Sequence, residues 1–61
     1  MEPISILLVD DHTIIRKGIR ALLEQQRPSL EVISEAGDGR VAVRLAKELQ
    51  PRVVIMDISL P

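Results

Sequence analysis

Two short apolar runs, "ILLV" at residues 6–9 and "VVIM" at residues 53–56, each end directly on aspartate: the first on Asp10 and Asp11, the second on Asp57. Four consecutive large apolar residues leave neither face of a strand for water. Each run therefore has to sit in a sheet covered on both sides, as parallel strands do. The first strand reads as Ile4 to Val9, interrupted only by Ser5, and the last as Val53 to Met56, led in by Arg52. Between them the period changes. From Thr13, the residues Ile15, Ile19, Leu22 and Leu23 fall on one stripe at helical spacing. Asp11 or Thr13 is available to cap that helix, and Pro28 stops it. Leu30 to Ala36 then alternates, with Leu30, Val32 and Ala36 on one side and Glu31, Ile33 and Glu35 on the other, which suits a sheet edge. The "GDG" at residues 37–39 turns the chain, and Asp38 offers a second cap. A second helix comes next, with Val41, Ala42, Leu45, Ala46 and Leu49 facing inward, and Pro51 ends it.

Strand, helix, strand, helix, strand with short connections predicts an α/β fold with a parallel sheet. Right-handed crossovers, with the alternating strand at the edge, give the spatial order 2-1-3 and put the two helices on opposite faces. The first and third strands then meet at a topological switch point, where ligands bind beyond the carboxyl ends. Asp10, Asp11 and Asp57 all sit at those ends. The apolar residues before Asp57 are expected to fix it by packing on both faces of its strand.

A chain of 61 residues forms at most one small domain, which removes only about 60% of its unfolded surface from water. It has no cysteine, in keeping with a reducing compartment, and no aromatic residue, so Ile, Leu, Val, Ala and Met must build the core. Eight basic against nine acidic side chains provide no electrostatic grip on nucleic acid or on an anionic membrane. The apolar runs fall far short of the roughly 18 residues that span a bilayer. Glu2, and the acid pair directly after a short apolar run, do not make a secretory signal. The expected location is cytoplasmic.

Each aspartate taken alone reads as a loop polar or a helix cap. Together they do not. Two carboxylates about 5 Å apart repel by roughly 3 kcal/mol at an effective dielectric near 20, so a small domain that gathers three needs a cation among them. Hard oxygen ligands with room for water favour Mg²⁺. Such an ion also neutralises an incoming phosphoryl group, leaving one carboxylate free to attack it. Asp57 is the expected nucleophile.

In order and spacing, "ILLVDDH", "RKGIRALL", "EAGDGRVAV" and "PRVVIMDISLP" resemble the first half of a response-regulator receiver domain of two-component signalling. The "DDH" and "R-x-G" details are most similar to the subfamily joined to a helix-turn-helix DNA-binding domain, which implies control of transcription. The resemblance implies a flavodoxin-like doubly wound sheet. It implies that Asp57 accepts phosphate from a histidine kinase, as a phosphoacceptor and not as an enzyme. It also implies that Asp11 binds Mg²⁺ directly, that Asp10 assists, often through water, and that the backbone carbonyl of Ser59 is a further ligand. Pro61 matches the proline that shapes the following loop. The kinase is expected on the outward strip of the first helix, Ile14, Gly18 and Ala21, beside Gln25. A complete receiver has a fourth strand ending in Ser or Thr and a fifth ending in Lys. Residues 1–61 contain neither, nor a DNA-reading element. The expectation is an incomplete receiver whose third strand, bare on one side, is open to self-association.

Two other readings compete. Gly37, Gly39 and Ala42 satisfy G-x-G-x-x-[GA] between a strand and a helix, with Asp57 about 20 residues on, as in a dinucleotide-binding turn. Like charge from Glu35 and Asp38, and the edge character of the strand, count against it. The outward strip of the first helix alone would make a non-phosphorylated interaction fragment. His12 reads as a helix-start residue beside the site, and Arg40, Arg44 and Lys47 as a solvated face.

Overall fold

β1 (Ile4–Asp10) is hydrogen-bonded on both flanks, to β2 (Leu30–Ala36) on one side and β3 (Val53–Asp57) on the other, in a parallel three-stranded sheet of order β2-β1-β3. These strands come from a computed structural model that describes residues 2–57. Ile6, Leu7, Leu8 and Val9 are all buried, as a strand paired on both edges and covered on both faces must be. Ser5, the one polar residue of the run, receives the start of β3. Its hydroxyl and its carbonyl both accept the Arg52 N–H, at 3.0 and 3.1 Å. The topology is the expected doubly wound, flavodoxin-like arrangement over this portion of the chain.

α2 (Gly39–Leu49) packs Ala42, with Val41, Leu45 and Ala46 beside it, on Leu7, Val9 and Ala36. Asp38 caps it as expected, accepting the Val41 N–H at 2.9 Å. Gln50, at φ 48°, closes it ahead of Pro51. Leu49 is exposed instead of packed. α1 (Thr13–Glu24) lies over β1 and β2 on the other face. Its N-cap is His12, not Asp11 or Thr13. Asp10 supplies the turn by accepting the His12 N–H at 2.7 Å. The helix also ends four residues before Pro28, in a turn closed by Gln26, Arg27 and Ser29 N–H groups.

The expected core stripe of α1 is only partly covered. Ile19 and Leu23 are half-buried, but Ile15 is 47% and Leu22 63% exposed. The reason is lateral: both helices rest on β1 and β2, and no described element packs beside α1 over β3. Val53, Val54 and Met56 of β3 are exposed for the same reason. Among the described residues no helix is long and apolar enough to cross a membrane.

The simple alternation expected of β2 does not survive. Ile6 pairs with Val32 but Leu7 pairs with Ser34, so Ile33 is an extra residue bulged out of the ladder. Partners in a parallel ladder share a face. Val32 therefore lies with Ile6 on the α1 face, whereas Ala36 lies with Val9 on the α2 face, and Glu35 lies with Leu8 under α1. There it meets two arginines. Arg16 Nε donates to Glu35 Oε1 at 2.9 Å, and Arg20 Nη1 donates to Oε2 while its Nε reaches Glu24. The Arg20 hydrogen bond, supported by Arg16, holds the Glu35 carboxyl below its ordinary value of 4.5 despite desolvation.

This packing can be tested at the core and at the ion pair. Leu7 and Leu8 are fully buried, so either Leu→Ala change should cost about 3 kcal/mol or more, against under about 1 for Leu22→Ala. Urea unfolding monitored by far-UV circular dichroism measures this, since no aromatic reporter exists. Because the folded Glu35 pKa is depressed, its stabilisation is complete above the unfolded value of 4.5 and is lost as pH falls through the folded one. With Arg20 39% exposed, the gain is no more than about 1 kcal/mol. The stability gap between the native chain and Glu35→Gln should therefore hold above the unfolded value of 4.5 and close as the pH falls below it.

Candidate functional site

Four apolar residues carry Asp10 to the carboxyl end of the central strand, where it is 1% exposed. Its Oδ1 is engaged by the His12 N–H at 2.7 Å. Its Oδ2 is enclosed and has no hydrogen-bond partner among the described residues. Asp11 is next, with 57% of its side chain exposed. The His12 ring lies against both, its Nδ1 2.9 Å from Asp11 Oδ1 and 3.3 Å from Asp10 Oδ1. One ring nitrogen thus stands within reach of an oxygen of each acid. Ligand atoms of Asp10, Asp11 and His12 all lie within 4.8 Å of one another.

β3 brings the third acid. Asp57 is the ladder partner of Asp10, and it lines a cleft of about 330 Å³ with Asp11, Asp38, Gly37, Gly39, Val9 and Met56. The three aspartates thus meet at one end of the sheet, at the β1–β3 junction. Their environments differ. Asp57 stands outside the tight 4.8 Å group, and it is exposed on an edge strand. The innermost strand is β1, so packing on both faces does not fix Asp57; its ladder to β1 does. Ser59 and Pro61 lie outside the described residues.

A buried carboxyl oxygen with no hydrogen-bond partner is costly, because it has lost water and gained nothing. Asp10 Oδ2 is such an atom, and Asp11 and Asp57 add oxygens on the cleft side. All are hard donors, the set that Mg²⁺ takes with water completing its octahedron. The residues present fit that ion. His12, in contact with both acids through Nδ1, serves as their orienting partner.

The dinucleotide reading of the "GDG" turn is not supported by this geometry. Asp38 places its own carboxylate on the α2 N-terminus, where a pyrophosphate would sit. β2 is an edge strand, and Ala42 is consumed in packing against Leu7 and Val9. Two contributors escape sequence reasoning. One is the ring of His12 across both acids, for which its position directly after the pair is the available signal. The other is Arg16, whose Nη1 donates to the Asp10 carbonyl at 2.7 Å.

Known proteins resemble this chain in sequence. A family model for the response regulator receiver domain matches residues 6–61. The transcriptional regulatory protein LiaR of Bacillus subtilis is 54% identical over 55 residues, covering 90% of this chain and 26% of that protein. The nitrate/nitrite response regulator protein NarP of Escherichia coli is 43% identical over 58 residues, 95% of this chain and 26% of its own length. A protein-glutamate methylesterase/protein-glutamine glutaminase of Carboxydothermus hydrogenoformans is 49% identical over the whole chain and 17% of that enzyme. The chain spans about a quarter of the length of the two regulators. With its β2-β1-β3 sheet and its acids gathered at the β1–β3 junction, the chain belongs to the response regulator receiver domain family.

Proposed function

We propose that Asp57 is the phosphoacceptor of a two-component response regulator, loaded by a sensor histidine kinase in the cytoplasm. The observation that carries this reading is the enclosed, unpartnered Oδ2 of Asp10 beside a cleft lined by Asp11 and Asp57. That asymmetry divides the labour. Asp10 and Asp11 are adjacent, and His12 holds them in place, so they serve as Mg²⁺ ligands. Asp57 would contribute one oxygen to the ion and keep the other for attack, and the backbone carbonyl of Ser59 is a further proposed ligand. Bound Mg²⁺ supplies charge neutralisation for the phosphoryl oxygens. The Asp57 carboxylate attacks phosphorus, an acyl phosphate forms, and the phosphorus–nitrogen bond to the kinase histidine breaks. Its electron pair stays on the imidazole, which takes up a proton.

The kinase would dock on the outward strip of α1. Ile14 there is 86% exposed, a Cβ on Gly18 would meet nothing within 4 Å, and Ala21 is exposed. Small residues beside one exposed apolar side chain let a partner helix approach closely. Control of transcription is proposed from the regulators that the chain resembles, acting through an output domain outside these 61 residues. Self-association is proposed for the isolated chain, through the free edge of β3 and its exposed Val53, Val54 and Met56. A phosphate-independent role as an interaction module through the α1 strip is the second reading.

Two measurements test the proposal. In the full-length gene product, acetyl phosphate with Mg²⁺, then borohydride trapping and mass spectrometry, should label Asp57 alone, and Asp57→Asn should abolish the label. Label on Asp10, Asp11 or Asp38, or undiminished label in Asp57→Asn, ends the phosphoacceptor reading. Mg²⁺ at tenfold over its dissociation constant should stabilise the native protein by about 1.4 kcal/mol. Asp11→Ala should lose most of that gain in thermal melts.

A further inference from the structure

Arg16 makes contacts that the chemistry of the acid cleft does not require. Its side chain is 18% exposed, one turn into α1. Nη1 donates to the Asp10 carbonyl at 2.7 Å, and Nε donates to Glu35 Oε1 at 2.9 Å. Arg20 holds the same glutamate from the next turn. One guanidinium therefore joins the end of β1, the start of α1 and the end of β2. The space it occupies depends on Gly37, where a Cβ would stand 3.2 Å from Arg16 Nη1.

The Asp10 carbonyl belongs to the peptide plane shared with the Asp11 N–H. Holding that carbonyl sets the direction in which Asp11 leaves the sheet. On the far side of the same residue, Asp10 Oδ1 is held by the His12 N–H. Asp10 is thus gripped at both its main chain and its side chain, and the oxygen left over is Oδ2. A planar guanidinium can serve two divergent acceptors from fixed N–H directions; a lysine ammonium cannot reproduce both.

Charge alone argues the other way. A fixed cation next to the acids repels a second one, so on Coulomb grounds Arg16 should weaken the uptake of a metal ion. The two effects have opposite signs. We propose that Arg16 is a positioning residue for the acid pair, locking the Asp10–Asp11 peptide plane so that the Asp11 carboxylate is presented to the cleft beside the enclosed Asp10. This rests on the reading that the cleft takes a divalent cation.

The test is Mn²⁺ binding to the full-length gene product, with free ion counted by electron paramagnetic resonance and folding checked by far-UV circular dichroism. Arg16→Gln and Arg16→Lys should each weaken binding by about 10-fold or more, as loss of groups that orient metal ligands does. Coulomb repulsion alone predicts tighter binding in Arg16→Gln and no change in Arg16→Lys. A purely structural role predicts a lower melting temperature with an unchanged constant. Gly37→Ala keeps the charge but crowds Nη1, and should weaken binding in the same direction. If the Arg16 variants do not fold, Gly37→Ala decides, and an unchanged constant there overturns the proposal. An unchanged or tighter constant in Arg16→Gln overturns the positioning role while the cation site stands. No uptake by the native protein removes both.

Discussion

Parallel pairing of β1 on both of its flanks is the constraint from which the other features of the molecule descend. A strand hydrogen-bonded to β2 and β3 at once, with a helix on each face, has nowhere to expose Ile6, Leu7, Leu8 or Val9. Burying those four residues is the largest apolar contribution to the fold. It also forces the next residue, Asp10, into the same dry position, so a carboxyl group is desolvated as a by-product of strand packing. The site's chemistry begins with that unfavourable placement, relieved on one oxygen by a backbone N–H and left open on the other.

The acids around it are held by different means, which gives the site its division of roles. Asp10 is held by burial, Asp11 by the His12 ring, and Asp57 by its ladder to β1. Asp57 is thereby exposed to an incoming group, while Asp10 is enclosed. Across β1 from β3, Arg16 and Arg20 close on Glu35 of β2. Charges of both signs are thus layered about the end of one short sheet.

Much of this is legible from residue order, because the two apolar runs and their terminal aspartates depend only on local pattern. Strand order, the convergence of Asp10, Asp11 and Asp57, and the Asp38 cap all derive from periodicity and connection handedness. Other features depend on distances across the chain. Alternation in Leu30–Ala36 reads as an unbroken period of two, yet one bulged residue reverses the faces of everything after it. Caps at Asp11 and Thr13 are reasonable from propensity, but the Asp10 carboxylate reaches the His12 N–H first. Ile15 and Leu22 read as core because a helical stripe shows which side is apolar and not how far the surface beneath it extends. Arg16 belongs to the R-x-G pattern, but that pattern does not show its bond to the Asp10 carbonyl, which exists only once the two are folded alongside.

The bulge has an implication for how this strand tolerates changes of length. Since Ile33 takes no part in the ladder, and Val32 and Ser34 pair with consecutive residues of β1, removing it would leave every later pairing in place. Removing Ser34 or Glu35 instead would shift the remainder of β2 against β1, unless the bulge itself were given up to absorb the loss. A strand that carries one spare residue has slack stored in it. Alone among the strands of this sheet, β2 can shorten by a residue and still deliver a carboxylate to the arginines on one side and an alanine to the core on the other.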